Sequence, residues 1–132
     1  MKRFYGVVLA ALLVVTGILL PGTASAQGSV NSFRITTYDI QYELSRDSEG
    51  HSVLKTKETI TADFPLSDQN HGIERAIPTS YDGHSTHVSI DSVTDLEGQA
   101  WNYTTRSEGD AMIVRIGDAA TYAHGLTTYV IE

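Results

Sequence analysis

The alternation of apolar and polar residues between His51 and Phe64 limits most strongly how this chain can fold. One phase carries the apolar residues Leu54, Ile60, Ala62 and Phe64, and the other carries Lys55, Lys57, Thr59, Thr61 and Asp63. A period of two with many β-branched residues predicts a strand rather than a helix. Because Thr56 and Glu58 interrupt the apolar phase, we expect the middle of that face to lie near a rim. Pro65 cannot donate to a ladder and ends the strand.

A turn-rich loop and a short second strand follow this long strand. Residues 67–72 combine Ser, Asp, Asn and Gly, which is typical of a loop. Ile73 and Ile77 then share one face with Arg75 between them, and Pro78 closes the segment. The whole stretch therefore predicts a strand, a loop and a strand, and it indicates no particular reaction.

Arg75 is a candidate site residue with two interpretations. It can form an ion pair with a neighbouring carboxylate, for which Glu74, Glu58 and Asp63 are available; such pairs are common and weak at surfaces. Alternatively, an arginine held between two isoleucines can bind a carboxylate or phosphate anion with both arms of its guanidinium group. Both interpretations stay open at this point.

The first 26 residues predict a secretory signal peptide, residues 1–26. Lys2 and Arg3 supply a positive start, Tyr5–Leu20 is apolar and uncharged, and Ala24 and Ala26 form a small-x-small cleavage site before Gln27. The alternative is an uncleaved anchor, since the apolar run approaches the lower length limit of a spanning helix. Residues 27–132 would form the mature domain.

Charge and cysteine content narrow the function classes. The chain has 9 Lys and Arg against 16 Asp and Glu, a net charge of −7. Cleavage removes Lys2 and Arg3, leaving 7 against 16, or −9. Such an acidic balance argues against nucleic-acid binding and against docking on anionic lipid. The chain has no cysteine, so the domain must fold on its apolar core alone.

Short alternating segments separated by turn signals continue along the chain. We predict strands at residues 33–44, 51–64, 72–78, 88–93, 101–105, 111–116 and 127–132. A change of phase near Thr36 and Thr37 indicates a β-bulge in the first of them. The expected fold is all-β, an antiparallel β-sandwich that is immunoglobulin-like in general architecture. The residues expected in its core are Ile60, Phe64, Ile77, Ile90, Trp101, Val114 and Ile116.

Asp82, His84 and His87 form the best local candidate for a metal site. Two imidazoles and a carboxylate are ligands that zinc accepts, but zinc sites normally have three or four converging ligands. The sequence does not place the remaining histidines beside them. The alternative is that these are solvent-facing loop residues, and we expect no cofactor.

Trp101 and Tyr103 are candidates for stacking on sugar rings. Their spacing of two puts them on one strand face, which equally predicts core residues because aromatic side chains dominate the cores of small domains. Carboxylates are plentiful, so a glycosidase pair is conceivable, but nothing in the sequence sets two of them apart. We identify no catalytic residue.

Five motifs in order carry a resemblance to a known family. They are I-T-T-Y-D-I-Q-Y-E-L at residues 35–44, K-E-T-I-T-A-D-F at 57–64, G-I-E-R-A-I-P at 72–78, I-V-R-I-G-D at 113–118 and G-L-T-T-Y-V-I at 125–131. Together they resemble the N-terminal extracytoplasmic domain of the membrane proteins grouped as domain-of-unknown-function family 2207. The resemblance covers Ser32 to Glu132. Its most specific parts are G-I-x-R-x-I-P at residues 72–78 and I-G-D at 116–118 followed by G-x-x-x-Y at 125–129.

The resemblance implies a layout of signal peptide, external β-rich domain and later transmembrane helices. This chain departs from it by ending at Glu132, so a membrane anchor is implied only for a parent protein. The family has no assigned activity and therefore no catalytic residues to transfer. We expect an exported, non-enzymatic domain on the extracytoplasmic face of the membrane, with an interaction or structural role. The alternative is a domain that binds or hydrolyses envelope glycans.

The end of the sequence carries a further expectation about domain boundaries. Residues 127–132 alternate as a strand does, and no turn or polar tail follows Ile131. We expect the domain 27–132 to be truncated at its C-terminal end. In that case an unpaired strand edge would lie open beside Tyr129 and Ile131.

Overall fold

The computed structural model describes residue 29 and residues 31–132, so the predicted signal peptide lies outside the described residues. This part of the chain is all-β. The strands are β1 (Arg34–Arg46), β2 (Ser52–Phe64), β3 (Gly72–Pro78), β4 (Ser80–Tyr81), β5 (His84–Ser85), β6 (Val93–Thr94), β7 (Tyr103–Glu108), β8 (Ala111–Gly117) and β9 (Gly125–Ile131). Over the same residues, no helix has the length and apolar character needed to cross a membrane.

The strands form antiparallel sheets that share one core. One sheet has the order β1-β2-β9-β6 and the other the order β3-β8-β7, while β4 and β5 form a small separate hairpin. The core cluster takes Ile60, Ala62, Phe64, Tyr129 and Ile131 from the first sheet and Ile73, Val114 and Ile116 from the second. The predicted all-β, antiparallel character is confirmed.

The predicted bulge in the first strand is confirmed and has a consequence for the faces of β1. The register with β2 shifts between Ile35 and Thr37. Because one extra residue restores the phase, Ile35 pairs with Ala62 and Tyr38 with Ile60, and all four share a face. The apolar residues before and after the bulge in β1 therefore lie on one face of the sheet.

The core prediction is confirmed for its central members. Buried residues from the predicted set are Ile60, Phe64, Val114 and Ile116. The other three, Ile77, Ile90 and Trp101, are partly buried and pack against this cluster. The ring of Phe33 lies 5.1 Å from that of Phe64, which closes the core beside the bulge.

One predicted strand is much shorter than expected. Strand pairing expected over residues 88–93 is confined to β6, because the N–H groups of residues 91 and 92 donate to the Glu132 carbonyl outside any regular ladder. Between β3 and β6 the chain also forms the β4–β5 hairpin, whose Asp82 and Gly83 both have positive φ. That conformation matches a tight hairpin turn.

The expectation of an open edge at the last strand is wrong. Strand β9 lies inside its sheet, between β2 on one side and β6 on the other. Residues Tyr129, Val130 and Ile131 are buried, and burial raises the pKa of Tyr129 to about 12. On the β6 side, the indole Nε1 of Trp101 also donates to the carbonyl of Thr128 at 3.3 Å. The free edge of this sheet on the other side is β1.

Two glycines explain why β3 and β8 approach so closely at one end. Gly72 and Gly117 are directly paired in register, and both have φ near +135°, a conformation that favours glycine. A Cβ at Gly72 would lie 1.9 Å from the carbonyl oxygen of Ile116, and one at Gly117 would lie 1.8 Å from that of His71. Side chains at either position would collide with backbone.

Candidate functional site

A buried ion pair joins the two large sheets. Both Nε and Nη2 of Arg75 on β3 donate to the carboxylate of Glu58 on β2, each at 2.7 Å. The Glu58 side chain is 8% exposed and that of Arg75 26%. Hydrogen bonding to Glu58 is the main reason why the pKa of Arg75 is raised. Glu58 lies where the core ends along β2, since β9 pairs with β2 only from Glu58 onward, and its charge is neutralised by Arg75 although the side chain is buried.

This pair decides between the interpretations of Arg75. The two-armed geometry of the anion-binding hypothesis is present, but the anion is the carboxylate of Glu58 from the same chain. The other candidate partners are engaged elsewhere: Glu74 with Arg106 at 2.9 Å and Asp63 with Arg34 at 3.7 Å. Arg75 Nη1 also donates to the carbonyl of Ala76. The guanidinium group therefore serves as an internal bridge.

The β1–β2 hairpin exposes an apolar face beyond this bridge, which we term the apolar stripe. Its members lie on the core-facing side of the sheet and are Ile35, Tyr38, Ile40, Tyr42, Leu44 and Leu54. Their exposed fractions run from 36% to 75%. Together they equal about three fully exposed large side chains, or on the order of 600 Å².

Strand pairing explains why the part of the stripe at Tyr42, Leu44 and Leu54 is uncovered. Strand β9 pairs with β2 only from Glu58 to Phe64. Within the described residues, the first half of β2 has β1 as its sole neighbour, so this end of the hairpin is a two-stranded ribbon. Its opposite face is polar, and Glu43 lies directly across from Lys55. The ribbon is amphipathic although it extends past the core.

Hydrogen bonds to Asp47 stabilise the turn of the ribbon. Its carboxylate accepts hydrogen bonds from the backbone N–H of Glu49 and of His51, both at 2.9 Å, and lies 3.1 Å from the His51 ring. The His51 backbone bond contributes most to lowering the pKa of Asp47. Gly50 supplies the positive φ that the turn requires. The exposed ribbon thus has a defined end.

A cleft of roughly 530 Å³ lies at the opposite side of the fold, between the β8–β9 connection and the start of β7. Aromatic and polar side chains line it, including His71, Trp101, Asn102, Asp118, Tyr122 and His124. The Trp101 ring lies 5.2 Å from that of Tyr129. This size falls within the range of small-molecule sites.

Three rings form a row along this cleft. Tyr122 lies 4.3 Å from the His71 ring and 6.4 Å from the His124 ring. Nδ1 of His71 contacts the carbonyl oxygens of Asp118 and Thr121 at 3.2 and 3.0 Å. Since carbonyls only accept, that nitrogen carries the hydrogen. His124 is placed by Asp68, whose carboxylate lies 3.0 Å from its Nε2.

The structure separates the predicted stacking pair. Trp101 is half-buried and lines the cleft, whereas Tyr103, at the start of β7, lines a smaller neighbouring hollow. Asn102 lies between them and donates to Asp118 at 3.2 Å. Residues His71, Tyr122 and His124 were not identified as a group from the sequence, because nothing local indicates that the chain returns Tyr122 to His71.

The predicted metal ligands lie on an exposed hairpin. Asp82 occupies the β4–β5 turn, His84 is on β5, and His87 follows with a φ of 49°. All three are exposed. Across the residues that the structure describes, no group of three or more His, Cys, Asp or Glu side chains is arranged to hold a metal ion.

No family model, no curated protein and no solved structure matches this chain.

Proposed function

We propose that this chain is an exported, non-enzymatic domain of a cell-envelope membrane protein and that it binds another polypeptide through the apolar stripe. In this proposal the two large sheets form a β-sandwich that is immunoglobulin-like in general architecture. The domain acts on the extracytoplasmic face of the membrane, and the parent protein belongs to the family of unknown function 2207. The motifs at residues 35–44, 57–64 and 72–78 support this membership.

The apolar stripe is the observation that carries the proposal. Its exposed area of roughly 600 Å² is at the upper end of the largest patch on a typical monomer, about 300–600 Å². It approaches the ~800 Å² that each partner contributes to a standard protein interface. A two-stranded ribbon is marginally stable on its own in water. A partner that covers the stripe would remove this apolar surface from solvent.

The charge distribution favours a protein partner over nucleic acid or an anionic membrane surface. The chain carries a net charge of −7. The stripe itself has no unpaired charge, since Arg75 beside Tyr38 is bonded to Glu58. Tyrosine is among the residues enriched at protein interfaces. The stripe has this composition, with Tyr38 and Tyr42 among aliphatic side chains.

Site-specific photo-crosslinking in intact cells tests this function. A photoreactive amino acid at Leu44, 75% exposed on the stripe, should give a discrete cross-linked protein product in the membrane fraction. The matched control is Leu96, 66% exposed outside the stripe, which should give none. Equal products from both positions, or none from Leu44, would contradict the proposal.

N-terminal sequencing of exported material tests the signal peptide. The first residue found should be Gln27.

A second candidate function is glycan binding in the aromatic cleft. The observation that favours it is the open row of His71, Tyr122 and His124 beside Trp101, because sugars stack on aromatic rings while carboxylates and amides bind their hydroxyls. Binding to a panel of neutral oligosaccharides should weaken at least about tenfold in Tyr122→Ala, a loss of about 1.4 kcal/mol. Tyr81→Ala, at a tyrosine 81% exposed elsewhere, is the control. No binding by the unchanged protein would remove this candidate.

A further inference from the structure

We infer that the space between the edge of β3 and the apolar stripe accepts one extended β-strand from a partner polypeptide. This inference rests on the proposed function and specifies how the partner binds. The partner segment would have apolar residues at every second position. It would extend the β3-β8-β7 sheet by one strand and cover the stripe on β1.

The lateral placement of the two sheets creates this space. At one side, Trp101, which precedes β7, packs against Tyr129 on β9 and donates its backbone N–H to Val93. At the other side, Arg75 on β3 binds Glu58 on β2 and lies 5.7 Å from the Tyr38 ring on β1. Strand β3 therefore covers β2, and β1 extends past it. The first sheet is wider there by one strand.

The edge of β3 that faces this space leaves the N–H and C=O of Glu74 and the N–H of Ala76 available within the described residues, whereas the Ala76 carbonyl accepts from Arg75 and the Pro78 carbonyl from Thr86. Within the described residues β3 pairs only with β8. Thr79, in the same register, donates its N–H to Asp110. Because the N–H and C=O directions alternate along an antiparallel strand, Glu74 and Ala76 direct theirs away from β8. The bond from Arg75 to the Ala76 carbonyl agrees with this direction.

The stripe and the edge together define the chemistry of the partner. A strand beside β3 would place alternate side chains over Tyr38 and Ile40, and the remaining side chains would face water. The inward residues should be uncharged, since the nearest charge, on Arg75, is already neutralised by Glu58 at 2.7 Å. Recognition would combine main-chain hydrogen bonds with apolar side-chain contacts, as in other cases of strand addition.

Peptide selection with the exported chain tests this inference. The probe is a random-peptide phage library, and the enriched sequence is then made as a synthetic peptide. We expect enriched sequences to alternate apolar and polar residues. The bound peptide should slow amide hydrogen exchange at Glu74 and Ala76, and Ile40→Ser should weaken binding by about tenfold.

A pair of substitutions at Ala76 separates strand addition from other binding modes. Ala76→Pro removes an edge N–H that faces away from β8 and should abolish peptide binding. Ala76→Val keeps the N–H and should bind as the unchanged protein does. If Ile40→Ser weakens peptide binding but Ala76→Pro leaves it unchanged, the stripe remains an interaction surface and strand addition is overturned. Failure to enrich any alternating peptide, or dimerisation of the chain through the stripe, overturns it as well.

Discussion

Replacing Phe64 with alanine should lower the free energy of unfolding by about 3–5 kcal/mol, the range for a large side chain removed from a packed core. Phe64 is 2% exposed and stands at the end of β2, where its ring packs against Phe33. The cavity would open beside the bulge and the first residues of β9. The residue directly across on β9, Gly125, has no side chain that could move into it.

Chemical denaturation followed by tryptophan fluorescence measures this loss, since Trp101 reports from the same core. Leu66→Ala is the matched control, because Leu66 is two residues away and 84% exposed. It should change the unfolding free energy by less than about 0.5 kcal/mol. A loss below about 1 kcal/mol for Phe64→Ala would mean that the faces of β2 are assigned incorrectly.

Glu58→Ala should lower the free energy of unfolding by a similar amount, about 3–5 kcal/mol, because it leaves the guanidinium of Arg75 partly buried without a counter-charge. Arg75→Lys should cost less and still be measurable, since an ammonium cannot form both bonds of the planar fork. Glu74→Ala breaks an exposed ion pair with Arg106 and serves as the control, with only a small loss expected.

A double substitution distinguishes the charge from the packing. Glu58→Leu with Arg75→Met removes both charges and keeps similar volume, so most of the lost stability should return. Urea denaturation of the two single variants and the double variant gives the coupling energy. If Glu58→Ala alone leaves stability unchanged, the pair is not desolvated and the bridge between the sheets contributes nothing.

Local pattern was enough to predict the strands that have one buried face. The period of two identified β2, β3 and β8, and the phase change at Thr36 and Thr37 identified the bulge. These features depend on neighbours in sequence. The order of strands depends on pairing between distant segments, which alternation does not encode. For this reason β9 was expected at an edge although it lies between β2 and β6.

The candidate sites were harder to predict for the same reason. Glu58 interrupts an apolar phase, which suggested a rim, and only the approach of β3 shows that Arg75 neutralises it. His71 and Tyr122 meet because β8 and its following loop return to the start of β3, and no spacing in the sequence signals this. The predicted group at Asp82, His84 and His87 was local, and the structure leaves it exposed.

The interior position of β9 has a consequence for the order of folding. Hydroxyl groups of Thr61 and Thr128 meet at 2.9 Å across a separation of 67 residues, so the central ladder of the sheet closes a very long loop. Such contacts form slowly, whereas β1 and β2 are joined by a short turn and can pair early. During synthesis the β1–β2 hairpin would form before residues 125–131 are available. Until then, the apolar stripe and the edge of β2 that later pairs with β9 would both be exposed to chaperones or to misassembly.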